Sequence, residues 1–384
     1  MTKLKEARQA LQEFALDAWL LYDFRHSNPL LWELLGQHLH STRRVFLCIP
    51  RTGQPTLLVH HVDAGHFPSE DLSIITYRDR EELARKLRAM LDGCERVAME
   101  YSPGGELPTL SWVDGGTLEL VRSFGLDVES SAELAQAALC RLDDAQLASH
   151  RRAARALGEI VVDAFALVRT RLSAGIDERG IAEFIQGRLT EAWLWTDEGP
   201  VVAVNQHAGD PHYSPTMETS LPIREGDWLL IDLWAKETEG IFGDITWVGC
   251  VGREPTDGQR AVFAAVIGAR DAAVKFLAHS ARTGSFPQGW EVDRVGRDFI
   301  ARAGYGDAFT HRLGHSLGSV VHGFGANLDG YETLDTRRLV PGLAFTIEPG
   351  IYLPDFGVRS EIDVYMTSHG PEITSAVQQE IVVI

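Results

Sequence analysis

Apolar positions in the middle of the chain recur at helical spacing: Leu157, Ile160, Val161, Ala164, Phe165, Val168 and Leu172 fall on one stripe, and Gly175 follows as a natural helix stop. The pattern predicts a long amphipathic helix, the first of two helical stretches that reach about Trp193. Short β-prone runs come next, VVAVN, DWLLIDLWA and ITWVGCVG. Helices GQRAVFAAVIGARDAAVKFLAH and EVDRVGRDFIARAG follow, then strands GLAFTIEP, VRSEIDVYMT and QEIVVI. Strands grouped apart from helices predict an α+β layer rather than a doubly wound sheet.

Before this region the pattern alternates. LKEARQALQEF, EELARKLRAML and SAELAQAALC read as helices, whereas DAWLLY, RVFLCIP, PTLLVH and RVAMEY read as strands, with RVFLCIP and PTLLVH paired across the RTGQ turn. A chain of 384 residues exceeds what one core comfortably supports, so two domains are expected, an α/β domain over 1–142 and an α+β domain over 143–384.

A formal charge of −18 with no compensating basic tract argues against nucleic acid or an anionic membrane as partner. Small molecules or peptides are the expected ligands. No apolar run approaches a membrane span, and the charged amphipathic start does not read as a signal peptide, so the expected compartment is the cytoplasm. Cys48, Cys94, Cys140 and Cys250 are widely spaced and read as reduced thiols, which leaves oxygen and imidazole to hold any metal.

The chemistry concentrates in four places. In DLWAKETEGIFGD a hairpin centred near Thr238 would set Asp232 opposite Asp244, an arrangement that is destabilising without a cation between them. In FTIEPGIY, Glu348 ends an apolar strand just before a Pro-Gly turn. In VRSEIDVY, period-two alternation puts Arg359, Glu361, Asp363 and Tyr365 on one face, where Arg359 could neutralise Glu361. HRLGHSLGSVVHG supplies His311, His315 and His322 among glycines, and DPHYSPT adds His212. Singly, each of these is more often a solvated or paired structural residue. Together, four carboxylates with histidine suit Mn²⁺, Co²⁺, Fe²⁺ or Zn²⁺, and their charge matches two divalent ions.

Asp232, Asp244, His315 in GHSLG, Glu348 in FTIEPGIY and Glu361 in VRSEID occur in the order and rough spacing of the pita-bread metallopeptidases, and the chain resembles that family over its whole length. PHYSPT, HRLGHSLGSVVHG, PGLAFTIEPGIYLP and TSHGPEITS are most similar to its Xaa-Pro branch, which holds prolidase and aminopeptidase P, with creatinase as a metal-free relative. The resemblance implies a C-terminal pita-bread fold behind a creatinase/prolidase-like N-terminal α/β domain. It implies two divalent metal ions per subunit, manganese first, with cobalt, zinc or iron as substitutes.

By the same resemblance Asp232 binds one ion, Asp244 and Glu361 bridge both, and His315 and Glu348 complete the second, with a bridging hydroxide as nucleophile. Glu348 would also carry the proton, His212 and His322 would contact the substrate, His311 would line the proline pocket, and Arg359 would orient Glu361 and the substrate end. Arg337, or Arg338 beside it, is the expected partner of a dipeptide's free carboxylate. Ser319 and Gly323 depart from the family pattern, an aliphatic residue and an acid being usual there.

The implied activity is hydrolysis of Xaa-Pro dipeptides by a cytoplasmic homodimer in which the N-terminal domain, with His26 in DFRHSNP, covers the cleft. Two alternatives accompany it: an Xaa-Pro aminopeptidase acting on longer peptides, and a creatinase-like or lyase-like member acting on a small metabolite. A binding module that has lost catalysis is a third reading, against which the intact set of five ligands counts.

Overall fold

Hydrophobic periodicity decides most of the architecture. The computed structural model describes residues 2–37, 39–67, 72–211 and 213–384, and these divide into two compact units, Met1–Cys140 and Arg141–Ile384.

In the first unit α1 (Thr2–Glu13) leads into β1 (Ala18–Asp23), a strand buried at every position. After α2 (Pro29–Leu35), β2 (Val45–Pro50) and β3 (Thr56–His60) form the hairpin anticipated around RTGQ, with Phe46 opposite Leu58. Then come β4 (Ser73–Tyr77), α3 (Arg80–Met90), β5 (Arg96–Met99), α4 (Gly115–Arg122) and β6 (Asp127–Ser130). The last helix, α5 (Ala132–Ala135), runs on into a π-helical turn ending at Cys140. The six strands form one mixed sheet in the order β4-β3-β2-β1-β5-β6, and β1 is central because it is apolar on both faces.

The second unit begins with α6 (Asp144–Arg171), capped by reciprocal bonds between Asp143 and Gln146. Its stripe from Leu157 to Val168 is fully buried against α7 (Glu178–Glu191) and the strands that follow, whereas Leu172 is only partly buried, in a short 3-10 turn after the helix. At about 1.5 to 3 kcal/mol for each large apolar side chain, this stripe fixes the sheet that carries the site. That sheet contains β7 (Val201–Val204), β8 (Trp228–Ala235) and β9 (Gly243–Cys250). Helices α8 (Asp257–Arg282) and α9 (Gly289–Arg302) pack on each other.

The remaining strands are β10 (Ser316–Leu317), β11 (Ala344–Ile347), β12 (Gly350–Tyr352), β13 (Gly357–Arg359), β14 (Ile362–Thr367), β15 (Gly370–Ile373) and β16 (Val382–Val383). One sheet is ordered β16-β9-β8-β7, a second β10-β11-β14-β15, and β12 pairs with β13 alone.

Two expectations change. VRSEIDVYMT is not one strand but two, broken at Ser360 and Glu361. There the chain exchanges partners: Ser360 N donates to Pro349 O at 3.3 Å, Glu361 N donates to Thr246 O at 3.3 Å, and buried Arg270 donates to Ser360 Oγ at 2.9 Å. The β8-β9 hairpin pairs Asp232 with Thr246 and Trp234 with Asp244, so the two aspartates are diagonal neighbours on one face rather than directly opposed. Pairing ends at Ala235 and Gly243, and Lys236 exchanges backbone hydrogen bonds with Trp195, which moves the turn centre one position beyond Thr238. Among the described residues no helix is long and apolar enough to cross a membrane.

Candidate metal centre and substrate cavity

Three secondary-structure junctions bring the acids together. Asp232 and Asp244 come from diagonal positions on one face of the β8-β9 hairpin. Glu361 comes from the β13-β14 break, and its carboxylate accepts from Thr246 Oγ1 at 2.7 Å. His315 and Glu348 are tied by one residue of β11: Thr346 Oγ1 accepts from His315 N at 3.0 Å and donates to Glu348 Oε1 at 3.3 Å, and Thr346 N donates to His315 O at 2.8 Å. Gly314 permits this contact, since a Cβ there would sit 2.1 Å from Thr346 O.

The outcome is a buried cluster. Ligand atoms of Asp244, His315 and Glu361 lie within 4.8 Å of one another. His315 Nε2 is 3.6 Å from Asp244 Oδ2 and 3.5 Å from Glu348 Oε1. Asp232, Asp244, His315, Glu348 and Glu361 all line one cavity of about 780 Å³.

The electrostatics of this cluster are unfavourable as it stands. Burial, then the charges of Glu361 and Asp232, raises the Asp244 carboxyl well above the usual carboxylate range. Burial and the neighbouring Glu348 and Asp232 charges do the same to Glu361. Glu348 is pushed up to about 7 by burial, and burial holds His315 far below the imidazole range. Asp232 Oδ1 and Asp244 Oδ1 are buried with no hydrogen-bond partner among the described residues. Orphaned carboxylate oxygens beside a neutral imidazole are the donor set of a hard or borderline divalent cation, and a bound cation reverses these shifts. The residues fit a metal.

Arg359 takes a different partner from the one expected. Its guanidinium forms an ion pair with Asp232, not Glu361, while Nε donates to Thr246 Oγ1 at 3.0 Å and Nη1 to Tyr352 Oη at 3.0 Å. Its influence reaches Glu361 through the Thr246 hydroxyl. His311 lines the cavity with both ring nitrogens engaged, Nδ1 with Arg312 O at 2.7 Å and Nε2 with Tyr352 Oη at 2.8 Å. His322 lines it too, edge-on to His315 with ring centres 4.5 Å apart. His212 lies outside the described residues.

Arg337 is a correction. Its side chain is buried and pairs with Asp335 through Nε at 3.0 Å and Nη2 at 2.6 Å, while Nη1 and Nη2 donate to the carbonyls of Phe324 and Gly325. With its donors spent on holding that loop, it does not line the cavity, and neither does Arg338, which donates to Phe286 O. Besides Arg359, which is paired with Asp232, the cavity presents Arg312.

The sequence profile of metallopeptidase family M24 matches residues 149–368, the segment that supplies every residue of this cluster. The chain belongs to that family. An Xaa-Pro dipeptidase of Lactobacillus delbrueckii subsp. lactis is 34% identical over 219 residues, 56% of this chain and 55% of that protein. The matched segment thus spans about half the length of that relative. Dipeptidase PepE from Mycobacterium ulcerans superposes with a TM-score of 0.76 at 22% identity, covering 100% of this chain and 97% of that one. The prolidase from Pyrococcus horikoshii OT3 superposes at 0.65 and 22% identity, covering 99% of each. The fold is therefore that of the α+β pita-bread enzymes with an N-terminal α/β domain.

Within this M24 chain, Gly323 has a structural cause. Its N–H donates to Ser316 O at 2.7 Å, and a Cβ there would lie 2.9 Å from Ser316 Oγ and 3.1 Å from Leu317 C, so an acidic side chain does not fit this loop. Nothing in the structure explains Ser319. Residues given no role from sequence complete the site. Asp363 accepts from Asp244 N at 3.1 and 3.2 Å, Trp234 and Tyr213 line the cavity, and Tyr213 is held from behind by buried Glu178 at 2.6 Å. Period-two alternation already places Asp363 on the Glu361 face; Thr246 stands two positions from Asp244, which is the signal that could have found it too.

Proposed function

We propose that this M24 chain is a metal-dependent peptidase that hydrolyses Xaa-Pro bonds, dipeptides in preference to longer peptides. The carrying observation is that Asp232 and Asp244 each keep a buried, unpartnered carboxylate oxygen in one cavity, with the other Asp244 oxygen 3.6 Å from His315 Nε2. Asp232, Asp244, His315, Glu348 and Glu361 would hold two divalent ions, manganese first and cobalt, zinc or iron as substitutes. When bound, such ions supply a Lewis acid for the scissile carbonyl and an acidified water.

The remaining work falls to this chain's own side chains. Glu348 Oε1 is positioned by the Thr346 hydroxyl and is the carboxylate proposed to move the proton from water to the leaving nitrogen. His322, at the cavity wall beside His315, is proposed to donate to the oxygen on which negative charge develops. His212 is assigned a similar substrate contact on the strength of family resemblance alone. Arg359 fixes Asp232 directly and Glu361 through Thr246, so one guanidinium sets the spacing of two acids. His311, locked between Arg312 O and Tyr352 Oη, offers a ring edge to the proline side.

A homodimer in the cytoplasm completes the proposal. Metal-reconstituted protein assayed on Met-Pro, Leu-Pro and Xaa-Pro-Yaa peptides tests the activity. Proline-dependent cleavage of the dipeptides is expected. Faster turnover of the longer peptides would make it an aminopeptidase, and no proline-dependent cleavage with any of the four metals would overturn the assignment.

A further inference from the structure

An anionic substrate end entering this cavity meets mostly repulsion. Asp197, Glu198, Glu332 and Glu348 line the walls with the other acids, and among the described residues only two arginine or lysine side chains share them, Arg359 and Arg312. Arg359 is already neutralised by Asp232. Arg312 is not: among the described residues its guanidinium makes neither an ion pair nor a hydrogen bond, although its charge helps lower His311, His315 and His322.

Its backbone is by contrast pinned at both polar atoms. Arg312 N donates to Glu332 Oε1 at 3.1 Å, and Arg312 O accepts from the His311 ring at 2.7 Å. The flanks are anchored as well, since Arg297 on α9 donates to Phe309 O at 3.0 Å and His311 O at 2.8 Å, and Leu313 N donates to Leu328 O at 3.0 Å. A fixed backbone presenting an uncommitted, planar, five-donor cation into an acidic cavity is the arrangement that selects a planar anion and pairs with it bidentately.

We infer that Arg312 binds the free C-terminal carboxylate of the peptide and so confines the site to substrates that end one residue after the scissile bond. This rests on the Xaa-Pro reading of the cavity, and it names the determinant that Arg337 cannot be. Desolvated on one side by the cavity wall, such a pair is worth about 10- to 100-fold in affinity over a neutral ligand end.

The experiment compares Leu-Pro with Leu-Pro amide. Calorimetric titration of metal-free protein reads binding, and kcat and KM of the metal-loaded enzyme read turnover, for wild type, Arg312→Gln, Arg312→Ala and Arg312→Lys, with melting temperature as the folding control. Wild type is expected to prefer the free acid by about 10- to 100-fold. Arg312→Gln and Arg312→Ala should lose that preference through KM while treating the amide as wild type does, and Arg312→Lys should recover part of it.

Equal losses on acid and amide in a variant that melts normally, or a preference surviving Arg312→Gln, would overturn the inference. So would a wild type that does not distinguish the two ligands in either measurement. A carboxylate preference retained in binding by a protein that cleaves no Xaa-Pro bond would fell the activity and leave Arg312 as the carboxylate site.

Discussion

Buried carboxylates occur in both units of this protein, and they are treated in opposite ways. Glu100, at the end of β5, is fully buried, and each of its oxygens is served twice: Oε1 by Trp19 Nε1 at 2.5 Å and Ser131 Oγ at 3.2 Å, Oε2 by Asn28 Nδ2 at 2.8 Å and Tyr22 N at 3.3 Å. Asp244 is buried with one oxygen unserved and the other 3.6 Å from an imidazole. Burial raises both acids. The contrast is not one of domain, because Glu178 in the second unit is as well satisfied as Glu100, accepting from Val204 N, His207 Nδ1, Tyr213 Oη and Leu221 N. A saturated acid ties chain segments together; an acid with an orphaned oxygen beside other acids waits for a cation.

Asp244→Asn probes this difference with the largest effect. In the metal-loaded enzyme, losing several kcal/mol of Lewis-acid stabilisation is about a thousandfold in rate. In metal-free protein the same change should stabilise the fold by about 1 to 3 kcal/mol at pH 8, since it deletes an uncompensated buried charge. Activity and chemical denaturation, measured on both forms, read the two signs.

Metal removal alone comes next in size. The clustered acids are raised in the fold, Glu348 to about 7, so between their unfolded and folded values the native state holds more protons than the unfolded one. Metal-free protein should therefore be most stable near the unfolded carboxylate range and lose stability as pH rises through about 7. The metal-loaded form should show far less of this slope. Amide exchange should place the difference in β8, β9 and β14, and an equal loss of protection in β1 would erase the comparison with Glu100.

Glu100 itself gives the third test. Its carboxyl is raised from 4.5 to about 7, so the stability of the β1 region should decline across that window by about 3 kcal/mol whether or not metal is present. In Glu100→Gln the slope should vanish. Protection of the β1 amides as a function of pH is the measurement, and a slope that survives the substitution would place its origin elsewhere.

What was legible in the sequence was whatever depends on spacing. The α6 stripe and the β2-β3 hairpin follow from period, and the gathering of Asp232, Asp244, His315, Glu348 and Glu361 around one cavity is what the family resemblance implied. What was not legible depends on partners far apart in the chain. The charge of Arg337 is visible in sequence, but its commitment to Asp335 and to the carbonyls of Phe324 and Gly325 appears only once that loop is folded. Arg312 drew no expectation of its own, because nothing in sequence says which arginine lacks an acid. The symmetric hairpin reading placed Asp232 opposite Asp244 because it took the turn to be centred on its polar residues, whereas the tertiary bridge from Lys236 to Trp195 sets where pairing stops.

The smallest expected effect lies in Thr246, where the two treatments of buried acids meet. It is completely buried opposite Asp232, and its hydroxyl accepts from Arg359 Nε at 3.0 Å while donating to Glu361 Oε2 at 2.7 Å. Thr246→Val keeps the shape and removes both bonds, so Glu361 gains an orphaned oxygen of the kind Asp232 and Asp244 already have. Arg359 still holds Asp232 and Tyr352, which preserves the fold around it. A positioning hydroxyl behind a metal ligand is worth about 10- to 100-fold in metal affinity or activity, and the loss should fall at the lower end because Glu361 stays anchored by its backbone bond to Thr246 O. Thr246→Ser should restore it. Metal titration of the three proteins decides whether Glu361 is held for the cation by this hydroxyl or by packing alone, since packing predicts that valine binds as tightly as threonine and that serine is the weaker variant.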